Sequence, residues 1–106
     1  MPTRSRKLAD GTAPANATTT VYTVPTGYVA RLLEWRLEAS GAGAFSVQVK
    51  SPTGANTRIA LVTAAAAGDP FGALVETTLN AGDVLRVGCP AGQTAKYWMS
   101  GWVLPE

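Results

Sequence analysis

Turn signals cut this chain at short and regular intervals, and that spacing constrains the fold more than any other feature. Pro25-Thr26-Gly27, Gly41-Ala42-Gly43, Ser51-Pro52-Thr53-Gly54, Gly68-Asp69-Pro70, Asn80-Ala81-Gly82-Asp83 and Pro90-Ala91-Gly92-Gln93 fall roughly every 10–17 residues and leave short runs between them. In each, proline presets φ near −65° or glycine supplies the positive φ that a tight reversal needs. The runs between them are too short for a helical bundle and rich in β-branched and aromatic residues. The pattern predicts an all-β fold, an antiparallel β-sandwich or jelly-roll-like arrangement of about seven to eight strands with an extended N-terminal arm.

Thr18–Val24 carries the densest strand signal, and Phe45, Val47 and Val49 alternate with Ser46, Gln48 and Lys50 as a half-buried strand should. In Arg58–Thr63, Ile59 and Leu61 are expected inward, and in Val84–Gly88 the same holds for Leu85 and Val87. Tyr28–Ser40 supports two readings. As a strand, Val29, Leu33, Trp35, Leu37 and Ala39 share one face and Glu34, Arg36 and Glu38 the other. As a helix, Val29, Leu32, Leu33 and Leu37 form a stripe. The repulsion of Glu34 and Glu38 at i,i+4, the missing capping box and the hairpin-like entry weigh toward the strand. The last run, Lys96–Leu104, is apolar on both faces. Trp98 and Trp102 are assigned to the core, and Tyr97, Met99 and Val103 to a contact with another subunit or a larger shell. Phe71, in the longest loop, has two readings, a lid folded onto the core or an exposed anchor, and it is placed among the contact residues. The expected core is thus Trp35, Leu37, Phe45, Val47, Val49, Ile59, Leu61, Leu85, Val87, Trp98 and Trp102.

Residues 1–17 hold Pro, Gly, Ala and few bulky apolar groups, too little to order themselves, so they are expected to form an arm preceding a domain of residues 18–106. Of nine basic residues, Arg4, Arg6 and Lys7 lie in the first seven positions. With Leu8 they are the candidate partner-binding arm, and the rest of the chain is close to neutral. Charged residues make up only 15% of the sequence, which suits a surface packed against copies or partners.

The chain has no histidine and one cysteine. Ser-His-Asp and Cys-His catalysis, the usual zinc sites and an intrachain disulfide are therefore excluded. Cys89 reads as a small buried hydrophobe. Glu34 and Glu38 on one strand would stand roughly 13 Å apart, beyond glycosidase separations. No catalytic, cofactor or metal site is expected, no small-molecule substrate, and no membrane span or secretory signal. Three cations without interleaved aromatics make nucleic acid an unlikely partner. Trp98 and Trp102 at i,i+4 could stack a sugar, though core packing accounts for them as well.

The run Val21-Tyr22-Thr23-Val24-Pro25-Thr26-Gly27-Tyr28-Val29-Ala30 resembles the "lyTVPaGk.a" opening of small β-sandwich virion proteins of tailed bacteriophages. Leu79–Val87 resembles their "L.aGD.irv" hairpin, and Tyr97–Val103 is similar to their closing "…vsGve" strand. Trp35 and the Glu34-Arg36-Glu38 face are richer than that pattern. The resemblance implies a structural role in the virion, assembled in the host cytoplasm. Its leading form is a capsid decoration or cement protein that binds the major capsid protein as a homo-oligomer, with a trimer as the expected ring. A tail or neck component is the alternative, and a carbohydrate-binding module a further one.

Overall fold

The computed structural model describes residues 6–54 and 56–106. They form eight strands: β1 (Arg6–Ala13), β2 (Ala17–Thr23), β3 (Tyr28–Ala39), β4 (Gly43–Lys50), β5 (Asn56–Ala64), β6 (Pro70–Leu79), β7 (Val84–Cys89) and β8 (Ala95–Pro105). Two four-stranded antiparallel sheets stack face to face. Sheet A runs β1-β8-β3-β6 and sheet B runs β2-β7-β4-β5. Chain neighbours such as β2 and β3 lie in different sheets, the weave of a jelly roll. Residues 28–39 are strand, not helix, which resolves the open reading: a central strand flanked by β6 and β8 buries more than a lone amphipathic helix would.

The turns match their chemistry, and two of them dock on one another. Gly27 and Gly82 have φ of 85° and 86°, in the left-handed region that favours glycine. Val24 donates its N–H to the Asp83 carbonyl at 3.0 Å and accepts from Gly82 N at 3.0 Å, so the Thr23-Val24-Pro25 and Ala81-Gly82-Asp83 segments are stitched together by backbone bonds. Asp83 Oδ2 accepts from Asn80 N at 2.9 Å, holding the second turn closed. The opposite end of the sandwich is tied by Ser40, whose hydroxyl donates to Gln93 Oε1 and accepts from Thr94 N, both at 2.8 Å.

Residues 6–13 correct the expectation of an arm ending at residue 17. They form an edge strand whose backbone pairs with β8 from Arg6↔Gly101 to Ala13↔Ala95. The small side chains that looked like a disordered tail are what a strand needs to pass close to its neighbour. Gly11 lies under the Tyr97 ring, where an added Cβ would come 2.9 Å from the phenol oxygen. Ala13 is fully buried and Leu8 packs on the core.

The core lies between the sheets. Leu32, Trp35 and Leu37 from β3, Phe45 and Val47 from β4, Leu79 from β6, Leu85 and Val87 from β7, and Met99 from β8 are buried there. Trp35, Leu37, Phe45, Val47, Leu85 and Val87 thus stand as expected, with Val49 and Ile59 packed against them half-buried. Leu61 does not: it is 57% exposed. Ile59 is an extra residue in β5, since Val47 pairs with Ala60 and Gln48 with Arg58. A bulge of this kind resets which side chains face inward, so Ala60, Val62 and Ala64 take the core side and Leu61 turns out. The same device acts in β3. Against β8, Leu33 is extra between Leu32 and Glu34, which lets both Leu32 and Trp35 point inward and moves Val29 and Leu33 to the opposite face.

Candidate functional site: the outer face of sheet A

Along β8 the inward series is Ala95, Tyr97, Met99, Gly101 and Val103, and the outward series is Lys96, Trp98, Ser100, Trp102 and Leu104. Met99 is 0% exposed, and Tyr97 and Val103 pack on the core. The expected assignment of this strand is therefore reversed. Tyr97, Met99 and Val103 are interior groups, while Trp98 and Trp102 are half-buried on the outside of the sandwich. Phe71 is likewise not a loop-tip anchor. It is the second residue of β6, paired with Leu37 and packed on the core. Of the arm residues, Arg4 and the side chain of Arg6 lie outside the described residues; Lys7 is exposed and Leu8 half-buried.

The outward series of β8 meets that of β3 row by row. Lys96 stands opposite Glu38, Trp98 opposite Arg36, Ser100 opposite Glu34, Trp102 opposite Arg31 and Leu104 opposite Val29. The Arg36 guanidinium carbon lies 4.9 Å from the centroid of the Trp98 ring, within cation–π range. Its Nε also bonds Glu34 Oε2 at 3.1 Å. Arg31 reaches to β6, where its Nη2 contacts Glu76 Oε2 at 3.1 Å. On β1, Lys7 Nζ sits 3.5 Å from Asp10 Oδ2. Ser100, between the two tryptophans, is 4% exposed although it points outward. Leu74 of β6 stands 83% exposed beside Leu33 at the bulge.

This face differs sharply from the outer face of sheet B. There the outward positions are Thr18, Thr20, Ser46, Gln48, Arg58, Thr63 and Arg86, a plain solvated surface on which Leu61 is the one large exposed hydrophobe among the described residues. A face carrying two tryptophans, four aliphatics and a stacked arginine, with Lys7, Arg31 and Arg36 ion-paired in the plane, has the composition of a protein-contact surface. A shallow hollow of about 240 Å3 opens at its β3–β8–β6 end between Arg36, Pro70, Phe71 and Trp98.

No acid–base chemistry gathers here. Among the described residues no group of three or more His, Cys, Asp or Glu could hold a metal ion. Cys89 is buried, its Sγ 3.8 Å from the Ala13 carbonyl. Burial pushes its thiol pKa above the ordinary 9.0, only partly offset by a hydrogen bond from the Ala95 backbone, which leaves the thiol protonated and unreactive in the folded state.

Neither protein-family models nor curated proteins match this chain. Among solved structures, a chain from a study entitled "Bacillus endospore appendages form a novel family of disulfide-linked pili" shares the fold, with a TM-score of 0.58 and 16% identity over 97% of this chain and 88% of that one. The likeness agrees with an eight-stranded antiparallel β-sandwich.

Proposed function

We propose that the chain is a structural protein of a tailed-phage virion, a decoration or cement protein that associates with copies of itself and binds the assembled head. The reading is carried by the outward placement of Trp98 and Trp102 with Arg36 laid over the first ring. Its further support is the resemblance over residues 21–30 and 79–87, whose turns bond to one another through Val24, Gly82 and Asp83. A protein that binds only the assembled shell stabilises it by mass action, by about 2.7 kcal/mol per site at a hundredfold excess over Kd. Repetition over a lattice multiplies that term.

A tail or neck ring component of the same virion is the second reading. It is favoured by the shared fold with the chain from the study of endospore appendages and pili. The outward tryptophans also bear on the carbohydrate reading, because a stacking platform needs exposed rings. The Arg36 guanidinium occupies the Trp98 face that a sugar would use, so a protein partner fits better. The test is co-sedimentation with expanded, undecorated capsids of the cognate phage, together with the capsid melting temperature. Saturable binding and a raised melting temperature are expected. Absence of binding, with retention on intact tails, would move the protein to the tail.

A further inference from the structure

We propose that the occupant of sheet A's outer face is a second copy of this chain, related by a two-fold axis that lies parallel to the strands, above that face and over the seam between β8 and β3. This rests on the reading of that face as a protein-contact surface and names its partner. A rotation about such an axis lays β3 of one copy over β8 of the other and keeps each residue at its own level along the strand. The register then decides which side chains meet. Glu38 of the partner copy falls over Lys96, Arg36 over Trp98, Glu34 over Ser100, Arg31 over Trp102 and Val29 over Leu104. Three rows are directly complementary: the Glu38–Lys96 ion pair, the Arg31–Trp102 cation–π contact and the Val29–Leu104 aliphatic pair; between them the Arg36–Trp98 stack of one copy meets that of the other, and Glu34 lies above the buried Ser100. Because the axis is two-fold, each contact occurs twice.

Two further observations favour this occupant. The charges of the face balance: Arg31 is paired with Glu76 at 3.1 Å, Arg36 with Glu34 at 3.1 Å and Lys7 with Asp10 at 3.5 Å within one copy, and the exposed Lys96 and Glu38 are of opposite sign. A strongly acidic or basic partner gains nothing from such a surface, whereas a copy of the same face brings matching neutrality. The area suffices as well. Four strands about 4.8 Å apart and about 11 residues long cover roughly 700 Å2, or roughly 1,400 Å2 for the pair, inside the range of about 1,200–2,000 Å2 for stable interfaces. The tryptophans lie on β8, an inner strand of the sheet, beside the charged row Arg31, Glu34, Arg36 and Glu38 of the other inner strand, β3, so the aromatic anchors sit at the centre of the face.

Charge reversal at one row tests the axis itself. Lys96 and Glu38 are both exposed, so Lys96→Glu and Glu38→Lys should leave the fold unchanged by circular dichroism and melting. Sedimentation velocity of the full chain at ~100 μM should give twice the 11.0 kDa protomer mass. Each variant alone places like charges against one another twice and should raise the dimer Kd about tenfold or more. An equimolar mixture of the two restores both pairs across the interface and should recover a Kd within about threefold of the wild type. Trp98→Ala should raise the dimer Kd about 30-fold. A wild-type monomer at that concentration, a dimer Kd unmoved by Trp98→Ala, or a mixture no tighter than its components would overturn the proposal. Capsid co-sedimentation separates it from the functional reading: a monomer that binds shells removes the self-pairing alone, and a dimer that ignores shells removes the decoration role alone.

Discussion

Adjacent residues on β8 should respond to truncation in opposite ways. Met99 is 0% exposed in the core, and Met99→Ala removes three heavy atoms from a site bounded by Trp35 on the neighbouring strand and by sheet B. Large-to-small changes of this kind cost about 2–5 kcal/mol. Set against a total of about 5–15 kcal/mol for a small domain, that is a large fraction. At about 4–8 °C per kcal/mol for a chain near this size, 3 kcal/mol lowers Tm by roughly 12–24 °C. Trp98→Ala, one residue earlier, loses a half-buried ring and the Arg36 cation–π contact at 4.9 Å. The contact contributes about 0.5–1 kcal/mol at an exposed site, so the Tm should fall by less than about 8 °C.

Association should show the reverse order. Removing a central interface tryptophan costs about 2 kcal/mol or more, a rise of about 30-fold in Kd. Met99→Ala should leave Kd unchanged wherever the variant is folded. Thermal melts give the first quantity and sedimentation velocity the second, on the same samples. If Trp98→Ala melted like a core variant while Met99→Ala was neutral, the two faces of β8 would have been assigned the wrong way round and the site would vanish.

Other substitutions probe separate parts of the argument. Gly101→Ala should destabilise by more than about 3 kcal/mol, because a Cβ there would run into the Arg31 carbonyl of the adjacent central strand, and backbone cannot yield as a side chain does; a melt within 5 °C of wild type would refute it. The Trp35 indole N–H is buried without a hydrogen-bond partner, so Trp35→Phe relieves an unsatisfied donor and should cost well under the roughly 3–5 kcal/mol of Trp35→Ala, as compared by urea denaturation. Deleting residues 1–13 should lower stability by removing β1 from the edge of sheet A, visible as a reduced urea midpoint. The raised pKa of Cys89 adds stability that is fully present below the ordinary thiol value of 9.0 and fades as pH climbs through the folded value. The stability gap between wild type and Cys89→Ala should therefore narrow above about pH 9, and a constant gap in pH-dependent melts would contradict the burial argument.

The architecture was legible because turn chemistry is local. Gly27 and Gly82 announce their positive φ in the sequence, and the runs between turns alternate cleanly wherever a strand is regular, as at Phe45, Val47 and Val49. Alternation fails at bulges, which are decided by pairing with a distant strand. Nothing near Ile59 reveals that Val47 and Gln48 will pair around it, and so alternation alone puts Leu61 on the wrong face. The expected arm fails for a related reason. Residues 6–13 have little apolar mass of their own, and their order comes from the backbone of β8, some ninety positions away in the sequence.

For β8 the pattern carried more than was taken from it. Both series are apolar, and residue size alone favours burying tryptophan. Yet the tryptophan series begins with Lys96 and includes Ser100, while the other holds Ala95 and Gly101, the small residues that a tight interior requires. A charge that cannot be buried unpaired fixes the parity of the whole strand, because side chains alternate without exception unless a bulge intervenes. β8 has no bulge in its pairing with β3; the extra residue there is Leu33, on the partner strand. Lys96 therefore places Trp98 and Trp102 outside, and the same register that does so sets each of them opposite an arginine. The contact face follows from one lysine and an unbroken period of two.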